Sequence, residues 1–139
     1  MRNKIVSKVL SPNDTGETGA HQAGILIPKD RRLIQFFPEL LENEKNPRVH
    51  LAFQDDTGKK WVFAYIYYNS KKFGGTRDEY RLTRMTKYIR ENSLLSGDVI
   101  HMTQKPEQDY YSISYSRKDT KFYNDDDEVL VIGKSWVIV

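Results

Sequence analysis

Trp61, Phe63, Tyr65 and Tyr67 alternate with Val62, Ala64, Ile66 and Tyr68 in one uninterrupted run, Lys60–Tyr68. Successive side chains of an extended chain point to opposite faces, so both faces of this segment are apolar. A strand of that kind belongs in the middle of a sheet, with cover on each side. The turn Asp55-Asp56-Thr57-Gly58-Lys59 joins it to a preceding strand, Val49–Gln54. Further short apolar runs bounded by turn residues read as strands at Ile5–Leu10, Ala23–Ile27, Val99–Thr103, Tyr110–Ser116, Glu128–Ile132 and Ser135–Val139. Two short helices are expected. One starts at Asp30, with Leu33, Phe36, Phe37, Leu40 and Leu41 on one face and Pro38 imposing a kink or a division into two short pieces; the other covers Thr83–Asn92. The fold class that follows is mainly β, a barrel-like sheet in a single domain over 1–139.

Two polar loops interrupt this pattern. Ser11–Ala20, between the first two strands, is turn chemistry throughout, and Asn69–Thr76 carries Gly74-Gly75 at its tip. Charge concentrates at the second loop. Residues 69–90 hold Lys71, Lys72, Arg77, Arg81, Arg84, Lys87 and Arg90 against Asp78 and Glu79, a balance of +5 in a chain whose total is +3. A basic segment on an otherwise slightly acidic chain is the footprint of a polyanion partner, nucleic acid foremost. No apolar run reaches the roughly 20 residues of a membrane helix, and no signal-peptide core follows Met1. The absence of cysteine excludes disulfides and thiolate metal sites and suits a reducing compartment.

Catalytic constellations are thin. Asp14-Thr15-Gly16 matches the aspartic-protease triplet but sits in polar sequence, where a capping Asp before a turn is the simpler reading. Glu107 with Asp119 and Lys121 mimics the carboxylates and lysine of a metal-dependent nuclease and forms the alternative to a binding function. Asp125–Glu128 lacks the spacing of a calcium loop, and His21, His50 and His101 lack metal-ligand spacing. No metal or cofactor is expected. The two loops carry more. Asn13, Asp14, Thr15, His21 and Gln22 can donate and accept along base edges, while Lys71, Lys72, Arg77 and Arg81 suit phosphates or guanine O6/N7. Glu79 either accepts from cytosine N4 or only orients its neighbouring arginines; both readings stand at this point.

These residues also carry a resemblance. Ser11-Pro12-Asn13-Asp14-Thr15-Gly16-Glu17-Thr18-Gly19-Ala20-His21-Gln22-Ala23-Gly24, running on to Ile27-Pro28, resembles the opening motif of the N-terminal domain family of EcoRII restriction endonucleases. Tyr67-Tyr68-Asn69-Ser70, Phe73-Gly74, Thr76-Arg77, Glu79, Arg81 and Thr83-Arg84 resemble its second motif, and Leu95-Ser96-Gly97-Asp98-Val99 with the Tyr-rich hairpin is similar to its close. The likeness spans about 5–117. It implies a seven-stranded open pseudobarrel, shared with plant transcription-factor domains, that grips double-stranded DNA with two arms in the major groove. The first arm would run from Lys8 to Gln22, with Lys8 and His21 as contacts. The second would run from Asn69 to Arg84, with Arg77, Glu79 and Arg81 as base readers and Ser70, Thr76 and Asp78 beside them. Gly75 and Tyr80 stand where the family has lysines, two positive contacts fewer. The resemblance further implies a short CCWGG-like site, a prokaryotic cytoplasmic setting and a nuclease domain separate from this one, so that this chain is either a fragment of a larger restriction enzyme or a free-standing specificity domain and by itself would not cleave; a monomer is expected.

Overall fold

The computed structural model describes residues 3–17, 24–118, 130–132 and 136–138. In chain order the elements are β1 (Lys4–Val9), α1 (Pro12–Thr15), β2 (Ile25–Ile27), α2 (Arg31–Ile34), β3 (Arg48–Asp55), β4 (Lys60–Tyr68), β5 (Glu79–Thr83), α3 (Thr86–Glu91), β6 (Val99–Gln104), β7 (Tyr111–Ser116), β8 (Leu130–Ile132) and β9 (Trp136–Ile138). A one-turn 3-10 helix, Ser70–Phe73, sits between β4 and β5. The strands form one sheet in the order β2-β5-β4-β3-β7-β6-β1-β9-β8. Every pairing is antiparallel except β3 with β7.

The doubly apolar segment lands where its pattern requires, as β4, paired along its length with β3 and β5. Trp61, Phe63, Tyr65 and Tyr67 face the core with Ile25, Ile27, Phe53, Leu82, Ile100 and Met102. The sheet curls until β9, one strand in from its far edge, reaches the edge strand β2: the indole Nε1–H of Trp136 donates to the carbonyl of Leu26 at 3.2 Å. Trp136 is 1% exposed, so its ring fills the seam that no ladder closes. A side chain in place of a strand ladder is what makes this an open pseudobarrel. At the other flank of β2, a Cβ on Gly24 would stand 2.8 Å from the Leu82 carbonyl oxygen, which reserves that position for glycine.

The expected mainly β pseudobarrel is the fold that forms, with nine strands among the described residues instead of seven. Residues 79–82, for which no element was expected, and Thr83, expected to open the second helix, pair as β5 with β4, and residues 80–82 also with β2. The reason is a period of two hidden by charge. Tyr80 and Leu82 face inward, Glu79 and Arg81 alternate with them and stay partly exposed, and Thr83 is buried, donating to Ala64 O at 3.3 Å. Arg84, at φ 64°, then breaks the chain direction, so α3 begins only at Thr86. The helix expected from Asp30 to Leu41 is shorter too. Asp30 caps it as anticipated, accepting from Arg32 N–H at 2.9 Å, but α2 ends at Ile34. Pro38 has no N–H to donate and disfavours a helical residue before it; Phe36 and Phe37 are buried from a turn, and Leu41 is exposed. Parts of the expected C-terminal strands, 128–129, 135 and 139, lie outside the described residues. No helix among the described residues is long and apolar enough to cross a membrane.

The β3–β4 turn is organised by one carboxylate. Asp55 Oδ1 accepts from Thr57 N, Thr57 Oγ1 and Lys59 N at 2.9, 2.6 and 2.9 Å, and Oδ2 accepts from Trp61 Nε1 at 3.0 Å. Partial burial pushes its pKa up, but these donors outweigh it and bring the group down to about 2. A carboxyl depressed on folding contributes stability above its unfolded pKa and loses it as pH falls through the folded value. Asp55→Asn is therefore expected to be less stable than the parent at pH 6, with the gap narrowing between pH ~4 and ~2. Thermal melts at half-unit pH steps measure it; a gap that stays constant to pH 2 would exclude the linkage.

Candidate nucleic-acid interface

The first loop leaves β1 through a helical turn that its own sequence specifies. Ser11 Oγ accepts from Asp14 N–H, and Asp14 Oδ2 accepts from Ser11 N–H, a reciprocal capping box with Pro12 at the first helical position. Gly16, at φ 81°, ends the turn in the left-handed region. Thr15 Oγ1 donates back to Pro12 O at 3.1 Å, Asn13 is exposed, and Glu17 accepts from Ser96 N–H at 3.2 Å. The Asp14-Thr15-Gly16 triplet is thus a capped turn. Lys8 and Asp14 are buried, at 6% and 5% exposure, and paired at 2.9 Å. Lys8 Nζ also donates to Val9 O at 2.9 Å, so two of its three donors have partners among the described residues. His21 and Gln22 lie outside the described residues.

The second loop is closed by its own backbone. Gly75 N–H donates to Ser70 O at 2.7 Å, Arg77 N–H to Ser70 Oγ at 3.0 Å and Lys71 N–H to Arg77 O at 2.9 Å. A Cβ at Gly75 would fall 2.7 Å from Ser70 Oγ, so the tight closure itself excludes a lysine there. Past the loop, the Arg77 guanidinium stacks 3.7 Å from the Tyr68 ring centre and donates from Nε and Nη2 to Glu79 Oε1. Arg81 Nη1 lies 3.8 Å from the other oxygen of Glu79, so one carboxylate is shared by two arginines. Asp78 turns the opposite way. It accepts from the Tyr67 hydroxyl at 2.7 Å and pairs with Lys29 at 2.6 Å; Lys29 first and Tyr67 second hold its carboxyl below the usual range. The hydrogen bond to Asp78 in turn pushes the Tyr67 phenol up. Tyr80 stacks on Tyr67 with centroids 4.2 Å apart and planes 7° apart, on the core side of β5.

Of the remaining residues expected to contact a ligand, Lys71, Lys72 and Thr76 are exposed, and Lys72 leans 3.4 Å from Glu42. Lys71 and Arg84 form no salt bridge among the described residues. Asn69 is fully buried and bonded to the segment 42–46. Sequence reasoning missed Lys29, Tyr68 and Asn46, which hold Asp78, Arg77 and Asn69; their partners are too distant in sequence for local spacing to show. In the nuclease alternative, Glu107 is exposed, Asp119 and Lys121 lie outside the described residues, and no acidic or histidine cluster among the described residues would hold a metal.

The two loops leave opposite ends of β5. Gly24, closing the first, sits against Thr83, and the second runs into Glu79. At about 3.3 Å per residue, these roots stand roughly 13 Å apart, with Arg81 on the strand between them.

The sequence model of the family described as "Restriction endonuclease EcoRII, N-terminal" matches residues 2–111. The chain belongs to this EcoRII N-terminal family. Within it, the Type II restriction enzyme EcoRII of Escherichia coli is 43% identical over 85 residues, covering 58% of this chain and 20% of that protein. The B3 domain-containing transcription factor NGA4 of Arabidopsis thaliana is 35% identical over 100 residues, 71% of this chain and 26% of that protein. Among solved structures, the Arabidopsis FUS3–DNA complex superimposes with a TM-score of 0.60 at 20% identity, covering 80% of this chain and 94% of that one. The chain thus spans about a quarter or less of the length of these curated relatives. The EcoRII N-terminal match ends at residue 111, so Trp136 lies beyond it while Leu26, which it bonds across the seam, lies within it.

Proposed function

We propose that this chain is a sequence-specific double-stranded DNA-recognition domain of an EcoRII-like restriction system, and that by itself it binds without cutting. The observation that carries this reading is the Arg77–Glu79–Arg81 group, displayed on the outer side of a strand whose two ends launch the two loops. The spacing of the loop roots is close to the roughly 12 Å width of the major groove, so the two arms can enter one major groove together. Arginine donors suit guanine O6/N7 and the carboxylate suits cytosine N4, the combination that reads a G·C-containing site. In this reading Asn13, Thr15, His21 and Gln22 meet bases or backbone from the first arm, with the third ammonium donor of Lys8. Lys71, Lys72, Ser70, Thr76 and Arg84 meet phosphates from the second, and Asp14 and Asp78 hold the arms in shape. A short CCWGG-like palindrome is the target type, and a nuclease domain in a longer parent protein is the partner.

Selection from random duplex DNA at about 0.15 M salt, followed by sequencing, tests the proposal. A short enriched motif supports it; salt-sensitive binding with no motif removes the sequence-reading part. Plasmid kept intact on incubation with magnesium supports the non-cleaving part, and defined cutting overturns it.

A further inference from the structure

Asn69 stands at the root of the second arm with no solvent exposure, and every polar atom of its side chain is used. Its Oδ1 accepts from Asn46 N–H at 2.7 Å, and its Nδ2 donates to Glu44 O at 2.6 Å and Glu42 O at 3.3 Å. The backbone N–H of Asn69 donates in return to Asn46 Oδ1 at 3.2 Å. Asn46 makes this reciprocal contact from the left-handed region, at φ 50°, which asparagine tolerates better than most residues. Although Asn69 precedes a 3-10 helix, its side chain does not cap it; it is turned to the 42–46 segment instead. Beyond it, the hydrogen bonds of residues 70–77 close the loop on itself, apart from the Lys72 contact to Glu42 and the Arg77 contact to Glu79. A loop that is stiff within itself takes its direction from its two mounts. One is Asp78, held by Lys29 and Tyr67; the other is Asn69.

We infer that Asn69 and Asn46 form a positioning clasp that orients the second arm for base readout without touching the nucleic acid. The inference rests on the proposed function and gives Asn69 a different role from a base contact. It also makes the 42–46 segment, on the far side of the β3–β4 hairpin, a determinant of specificity. The donor and acceptor roles are unequal, and that asymmetry is the test. Asn46 needs only an acceptor for Asn69 N–H, so aspartate can replace it. Asn69 needs two donors facing two carbonyl oxygens, so aspartate cannot.

The experiment compares Asn46→Gly, Asn46→Asp and Asn69→Asp with the parent. The readouts are hydrogen exchange at the amides of Lys71, Lys72, Gly75 and Arg77, and the ratio of affinities for the selected duplex and a scrambled one. Asn46→Gly keeps the left-handed backbone and leaves the fold intact. It is expected to speed exchange at these amides and to lower the ratio by about tenfold, with scrambled-duplex affinity unchanged. Asn69→Asp should do the same. Asn46→Asp should keep both readouts within about twofold of the parent. An unchanged ratio in Asn46→Gly, or a loss in Asn46→Asp as large as in Asn46→Gly, would overturn the clasp. If the parent itself prefers no sequence, the proposed function fails, and exchange still decides the mount. Faster exchange in Asn46→Gly but not in Asn46→Asp supports it, and equal rates overturn it.

Discussion

Replacing Arg77 by alanine is expected to weaken binding to the selected duplex by about 1–3 kcal/mol and to relax the preference at one base pair. The size follows from geometry already present in the free protein. Stacked on Tyr68 and bonded to Glu79 through Nε and Nη2, the guanidinium is held in a small set of orientations. A bidentate contact to guanine then loses little rotamer freedom on forming. Arg77→Lys should behave more like alanine than like the parent, because an ammonium offers neither the planar fork nor the stacking. Lys87→Ala is the control. Its side chain is exposed on α3, 3.9 Å from Glu91, and its loss should lower affinity for all sequences alike while reducing the salt slope by about one. Competition binding against every single-base variant of the selected site separates the two patterns. Equal losses on specific and scrambled DNA in both variants would deny Arg77 the role of base reader.

Glu79 links this outcome to its neighbour. With Arg77 gone, the carboxylate is released from its closer partner and can turn to Arg81, which stands 3.8 Å away. The sequence alone left open whether Glu79 reads a base or steers arginines. The geometry has it facing two arginines at once in the free chain, with Arg77 on Oε1 and Arg81 3.8 Å from Oε2.

What was legible in the chain beforehand was whatever repeats locally. The alternation through Lys60–Tyr68 located the central strand because burial on both faces leaves a mark on every residue. β5 escaped because only Tyr80 and Leu82 face the core, and the charges between them read as loop. The turn α1 was written in Ser11-Pro12-Asn13-Asp14 as a capping box, a signal masked by the surrounding turn residues. Of the candidate site, the charge concentration and the arginine–glutamate alternation were visible; which polar residues turn inward was not. Asn69 meets Asn46 across 23 positions, and Trp136 meets Leu26 across 110. Such pairings follow from sheet order and curl, which no local pattern contains.

Lys8 and Asp14 are the extreme case of that inward turn, and Asp14→Ala is expected to have the largest effect on stability. Both side chains are 8% exposed, so deleting the carboxylate strands an ammonium whose one other partner among the described residues is Val9 O. Breaking one side of a buried pair costs about 3–5 kcal/mol, and here the loss of the capping contact to Ser11 N–H adds to it. Lys8→Met should be milder, since Asp14 keeps its bond from Ser11 and the methionine chain fills similar space. The double variant should then recover much of the Asp14→Ala loss, because the stranded charge is gone. Urea unfolding of the three proteins gives the coupling directly. An Asp14→Ala loss below about 1 kcal/mol would place the pair in solvent rather than in the fold. Because Lys8→Met should leave the arm folded, its binding isolates the third ammonium donor. A loss confined to the selected duplex assigns that donor to a base, a uniform loss assigns it to phosphate, and no loss confines Lys8 to holding α1 in place.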